Sequence, residues 1–159
     1  MTVSSTVARP MLAGIFVYAG ADAAMHPETK AEVAANIAPI VAGRLGVPTD
    51  PVTLVRINGA VQVGAGLLLA IGKLRRLAAL ALIGSLIPTT LAGHQFWSEA
   101  DPTKRQHQRI QFLKNLAMLG GLILAAADTG GRPSVTWRAR RASKLAVKAS
   151  MAAGAGAGT

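Results

Sequence analysis

LAALALIGSLIPTTLAGHQFWS, from Leu77 to Ser98, runs for 22 residues without an Asp, Glu, Lys or Arg. A helix rises 1.5 Å per residue, so about 20 apolar residues cross the hydrocarbon core of a bilayer. This stretch alone predicts a membrane-spanning helix. Upstream, Ile57–Gly72 (INGAVQVGAGLLLAIG) contributes 16 more uncharged residues between Arg56 and Lys73, and Pro10–Ala21 contributes 12. Downstream, Asn115–Ala127 contributes 13. The shorter runs reach spanning length when their bordering charges sit at the interfaces. Arg9 and Asp22 flank the first, and Lys114 lies about one turn inside the fourth, where a long stem snorkels to the headgroups. The predicted spans are Val7–Met25, Val52–Gly72, Leu77–Phe96 and Ile110–Ala127. None shows the polar face of a helix on the surface of a soluble protein. The expected fold is therefore an all-α integral membrane protein: a four-transmembrane-helix bundle within residues 1–131, followed by a basic cytoplasmic C-terminal tail, 132–159.

Composition agrees. Of 159 residues, 51% are hydrophobic and 15% charged, against roughly 25% charged in soluble domains. The chain has no cysteine, which excludes disulfides, thiolate metal sites, a thiol nucleophile and c-type haem attachment. The N-terminus imitates a secretory signal peptide, with Arg9, apolar Met11–Gly20 and then Ala21-Asp22-Ala23. A single Arg in the basic region and an acid inside the cleavage motif speak against processing.

The net charge of +10 gains meaning from where it lies. With both termini inside, the cytoplasmic loops and tail hold ten Lys and Arg and the outer loops hold five, Arg56 and Lys114 belonging to segment edges. The positive-inside rule then predicts a multi-pass cell-membrane protein with both termini cytoplasmic. Six of the basic residues follow Asp128. Arg138, Arg141, Lys144 and Lys148 recur at helical spacing beside Trp137, a pattern suited to anionic lipid at a membrane surface and equally to a solvated tail. Nucleic acid is not an expected partner, because the chain has one Tyr, three Phe and two Trp, mostly within spans. The closing AAGAGAGT is low-complexity sequence, expected to be disordered.

Threaded antiparallel, the spans put their polar side chains at one depth. Asp22, Arg56, Asn58, Gln62, His94, Lys114 and Asn115 all fall in the outer half, and the inner half is mostly Ala, Leu, Gly and Ile. Ionisable groups inside a bilayer pair or serve function, and Asp22 with Arg56 is the expected pair. The cluster reads either as a site for a quinone headgroup or another small polar moiety, or as hydrogen-bonding glue between helices. His94 is the one histidine within the spans, so haem ligation lacks a second axial ligand. The spans also lack the several His and carboxylate groups of a zinc or diiron site. No Ser-His-Asp spacing, phosphate loop or GxGxxG is present, and no catalytic residue or metal ligand is expected.

Packing signals complete the reading. Ala117, Gly121 and Ala125 form one small-residue stripe, and Ala60 with Gly64 another. Pro88 interrupts the third span and takes a donor from the Gly84 carbonyl, with Thr89 and Thr90 placed to satisfy freed carbonyls. Residues 27–51 predict a pair of short helices lying over the polar cluster as a lid.

The wording of these segments resembles the DoxX family of membrane proteins, in its actinobacterial form. The resemblance rests on Arg9 followed by GIFVYAG (Gly14–Gly20) and on NGAVQVGAGLLLAIGKLRRLAAL (Asn58–Leu80). PTTLAGHQFW (Pro88–Trp97), FLKNLAMLGGLIL (Phe112–Leu124) and DTGGRPS (Asp128–Ser134) follow in order, covering about residues 8–141. It implies a four-helix integral membrane protein, and the family takes its name from a membrane subunit associated with a thiosulfate:quinone oxidoreductase. It further implies a non-catalytic subunit or scaffold of a redox or oxidative-stress complex with a protein partner. A quinone-binding subunit is the alternative, and a small solute carrier the second. Many relatives carry an acid where this chain has Gln62, which detracts from a proton-handling role.

Overall fold

The computed structural model describes residues 3–46, 49–128 and 141–145. Among the described residues of 1–127, six helices follow in order: α1 (Val3–Met25), α2 (Glu28–Ala35), α3 (Ala38–Leu45), α4 (Pro51–Ala70), α5 (Arg75–Gly93) and α6 (Pro102–Ala127). No strand occurs among the described residues. The chain divides into two units, residues 1–127 and 128–159, of which the first holds all six helices. In the second, residues 141–145 are helical and exposed, Arg141 and Lys144 among them; Trp137, Arg138 and Lys148 lie outside the described residues.

Three helices, α4, α5 and α6, are long and apolar enough to cross a membrane. At 23 residues α1 has the length, but Arg9, Pro10, Tyr18 and Asp22 lower its apolarity. The long helices turn large apolar side chains outward, including Met11, Leu67, Leu80, Leu116 and Leu124. Such a surface suits lipid and is a liability in water.

Local chemistry sets the helix ends. Asp50 caps α4 by accepting from the Thr53 amide at 2.7 Å, with Pro51 at the first helical position. The hydrogen bonds from Thr53 hold the Asp50 carboxyl below its usual range. Asp101 does the same for α6, accepting from the amides of Thr103 at 2.8 Å and Lys104 at 3.2 Å. As a result α6 begins eight residues before the predicted span at Ile110. Its basic first turns do not stop the helix, because a membrane boundary is no helix boundary.

Helices α1 and α4 pack antiparallel at very close range. A Cβ on Gly20 would lie 2.7 Å from the Gly59 carbonyl oxygen, and one on Gly66 would lie 2.8 Å from Val17 Cγ2. The expected Ala60/Gly64 stripe is not the contact. Both residues are exposed, and a Cβ on Gly64 would meet nothing within 4 Å. The helix presents the face rotated by one residue. Of the other stripe, Gly121 lies against Leu12 of α1 and Ala125 is half-buried, whereas Ala117 is exposed. Leu69, Leu82 and Leu122 fill a fully buried core between α4, α5 and α6, with Ala13 and Phe16 from α1. Since lipid is as apolar as Leu, this core holds through close packing rather than escape from water.

A tight turn, Ile71–Leu74, joins α4 to α5. It uses two left-handed residues, Gly72 (φ +75°) and Leu74 (φ +48°). Arg9, expected at an interface as a flanking charge, is buried instead, with its guanidinium set against Gly72.

Candidate functional site

At the opposite end from that turn, α2 and α3 cover a cavity of about 550 Å³ between α1, α4, α5 and α6. The expected lid of two short helices is present in these elements. α1 packs along α4 and α6 along α5. Towards the α4–α5 turn α1 meets α6 where Leu12 covers Gly121; nearer the lid the cavity lies between them, with Ile15 and Ala19 on one wall and Lys114 and Met118 on the other. Phe16 and Leu86 belong to both the core and the cavity wall, so the cavity stands directly on the packed part of the bundle.

Five of the seven expected site residues line it: Asn58, Gln62, His94, Lys114 and Asn115. Asp22 and Arg56 do not. The expected Asp22–Arg56 pair is also not formed. Asp22 pairs with Lys30 of α2 and has His26 at 3.5 Å. Arg56 is exposed near the start of α4, where its charge acts weakly on Asp50. The chain turns back at buried Pro27, which returns Lys30 to the end of α1. Antiparallel threading set Asp22 and Arg56 at one depth but said nothing of which way each faces around its helix.

Two buried amides tie the helices together beneath the lid. Gln62 Nε2 donates to Ser85 Oγ at 2.8 Å, joining α4 to α5. Asn115 Nδ2 donates to Thr90 Oγ1 at 3.0 Å, joining α6 to α5. Thr90 in turn donates to the Leu86 carbonyl at 2.6 Å. Thr89 Oγ1 donates to the carbonyls of Ser85 and Leu86 at 2.9 and 3.0 Å. Hydroxyls thus reinforce the helix around Pro88, at the two carbonyls following that of Gly84. Among the described residues no buried side-chain nitrogen or oxygen lacks a partner. This part of the cluster acts as interhelical glue.

The rest of the polar lining is less committed. His94, just past the end of α5, shares a 2.8 Å hydrogen bond between Nδ1 and Gln108 Oε1. Lys114 donates to Gln111, the turn before it. Asn58 makes no side-chain hydrogen bond among the described residues. Lys30, Thr89 and Gln111 are lining residues that sequence reasoning missed. Lys30 sits on a lid helix, outside every span, and the one available signal was its i+8 spacing from Asp22.

Beside the cavity, Phe96 stacks edge-on against Trp97 and Phe112, with ring centroids 5.2 and 5.4 Å away. Trp97 is largely exposed. Amphipathic rings of this kind gather where a membrane meets water, and Lys114 follows Phe112 by two residues. Among the described residues no group of three or more His, Cys, Asp or Glu could hold a metal.

Fold and site define an all-helical, multi-pass membrane protein with a partly polar cavity beneath a helical lid. The sequence model of the DoxX family matches residues 4–95, more than half of the chain, and the protein belongs to that family. The match runs from α1 to just past α5; the resembling blocks in α6 and beyond lie outside it. No curated protein and no solved structure matches the chain.

Proposed function

We propose that this protein is a membrane subunit without catalytic chemistry of its own, which holds a small amphipathic molecule beneath α2 and α3 on behalf of a protein partner. The carrying observation is the cavity of about 550 Å³, whose lining is mostly apolar with a few polar groups, Asn58, Gln62, His94, Lys114 and Asn115 among them. Ligand pockets for small molecules have this size and this makeup. The redox or oxidative-stress assembly that the family resemblance implies is the proposed setting, with quinone among the candidate occupants. In this reading α1 is the fourth span, both termini are cytoplasmic, and the lid faces outward. The basic tail meets anionic lipid through Trp137, Arg138, Arg141, Lys144 and Lys148.

The test is extraction of bound lipids from protein purified in mild detergent, followed by mass spectrometry. The wild type should carry a stoichiometric amphiphile, and Ala34→Trp, which fills the cavity from the lid, should fold but arrive empty. If the wild type carries no amphiphile yet copurifies with a stoichiometric partner, the chain is a scaffold and the cavity is incidental. Reporter fusions after Met25 and after Gly72 should report outside and inside respectively; the reverse pattern overturns the orientation.

A further inference from the structure

The charge lining the cavity is unbalanced. Lys30 and Lys114 both line it, and among the described residues no carboxylate does. Lys30 is answered by Asp22 from outside the lining. Lys114 is not answered: its bond goes to the neutral Gln111 side chain, and it has no acid partner among the described residues. This amine, exposed on the chain itself, stands on a helix apolar enough to cross a membrane, about one turn inside the predicted span at Ile110 and two residues past the aromatic cluster. An ammonium at that depth requires a counter-charge, water or a route to the interface. Elsewhere in the lining the Asn58 amide, which makes no side-chain hydrogen bond among the described residues, is a further donor suited to an anion. Most of the remaining lining is apolar, with Ile15, Phe16, Val33, Leu86 and Met118.

We propose that the cavity's occupant is an amphipathic anion, its carboxylate or phosphate head against Lys114 and its hydrocarbon chain along the apolar wall between α1 and α6. This rests on the reading of the cavity as a ligand site and narrows it to a charged head, setting aside a neutral one. A carboxylate comes from a free fatty acid and a phosphate from a phospholipid; both form charge-assisted bonds to a lysine. The gap between α1 and α6 near the lid gives a chain a direct path from the bilayer, where such molecules reside.

The experiment is photo-crosslinking on the full chain in detergent micelles. Three long-chain probes carry the same photoreactive group: a fatty acid, the corresponding alcohol, and a lysophospholipid with an anionic phosphate head. Crosslinked peptides are read by mass spectrometry. The expected result is labelling of Ile15–Ala23 and Gln111–Met118 by one or both anionic probes, with the alcohol far weaker. Whichever anion labels more strongly identifies the source. Lys114→Gln should reduce anionic labelling about tenfold or more, the loss of one charge-assisted bond, and Lys114→Arg should retain it. Equal labelling by the alcohol, unaffected by Lys114→Gln, overturns the anionic head but leaves the ligand-holding function intact. No probe labelling these peptides overturns both. If Lys114→Gln fails to fold, competition of unlabelled fatty acid or lysophospholipid against alcohol on the wild type decides the same point.

Discussion

Gly20 and Gly59 lie against each other with no room for a side chain on either. A Cβ on Gly59 would approach the Gly20 carbonyl oxygen to 2.6 Å and the Ala24 amide nitrogen to 2.7 Å. Both obstacles are backbone, which cannot rotate aside. Through this contact α1 is held to α4, and with it one wall of the cavity.

Gly59→Ala must therefore push α1 from α4, at a cost in the range of about 1–3 kcal/mol seen for overpacked cores. Folded yield in detergent and the temperature of thermal aggregation should both fall. Gly64→Ala and Gly14→Ala are the controls, since neither Cβ would meet anything within 4 Å. They should match the wild type. Equal loss across all three variants would show that helix propensity or insertion, and not the crossing, is at stake.

The α5–α6 bond predicts an asymmetry between two substitutions. In Thr90→Val the buried Asn115 amide loses its acceptor, and an unsatisfied buried group costs roughly 1–3 kcal/mol. In Asn115→Leu the Thr90 hydroxyl keeps its bond to the Leu86 carbonyl, so the loss should be nearer about 0.6 kcal/mol, typical of an interhelical bond in a membrane. The double variant should lose less than the sum. Reversible unfolding in mixed micelles, measured by circular dichroism, gives all three values, and strict additivity would show the bond contributes nothing.

Exposed Arg56 and lid-bound Lys30 should respond in opposite ways. Arg56→Leu should leave folded yield unchanged. Lys30→Met removes the pair that ties α2 to the end of α1. As that pair is about half exposed, at 44% and 48%, its contribution is small. Hydrogen exchange within Glu28–Ala35 should rise by roughly two- to fivefold, with the core of α4 unaffected, as expected for a weak exposed pair. A collapse of yield in Arg56→Leu would restore the Asp22–Arg56 pair.

How much could be read from sequence divides along one physical line. Depth along a helix follows from counting residues, so the long helices, the short pair over the polar end, and five of the cavity's lining residues were all legible. Rotation about the helix axis was not. One residue turns a side chain by about 100°, and an apolar span surrounded by lipid has no wet face to set its phase. For this reason the Gly59/Gly66 face was mistaken for Ala60/Gly64, and Asp22 was matched with Arg56 instead of Lys30. The burial of Arg9 was missed for another reason. A charge at a span's end normally reaches water, and its burial depends on the left-handed Gly72 in a turn far along the chain.

At 26 residues, α6 is about 39 Å long, whereas the hydrocarbon it crosses is about 30 Å thick. The surplus falls at the first turns, where Lys104, Arg105 and His107 are exposed. A helix with such an overhang acts as a depth gauge. In a thin bilayer the Lys114 amine stands close to water and its charge is screened. In a thicker one the lipid climbs towards Phe112, solvent draws away, and the same amine binds an opposite charge more tightly. For the anionic occupant proposed above, the hold of the cavity would follow the thickness of the membrane around it, with no moving part required.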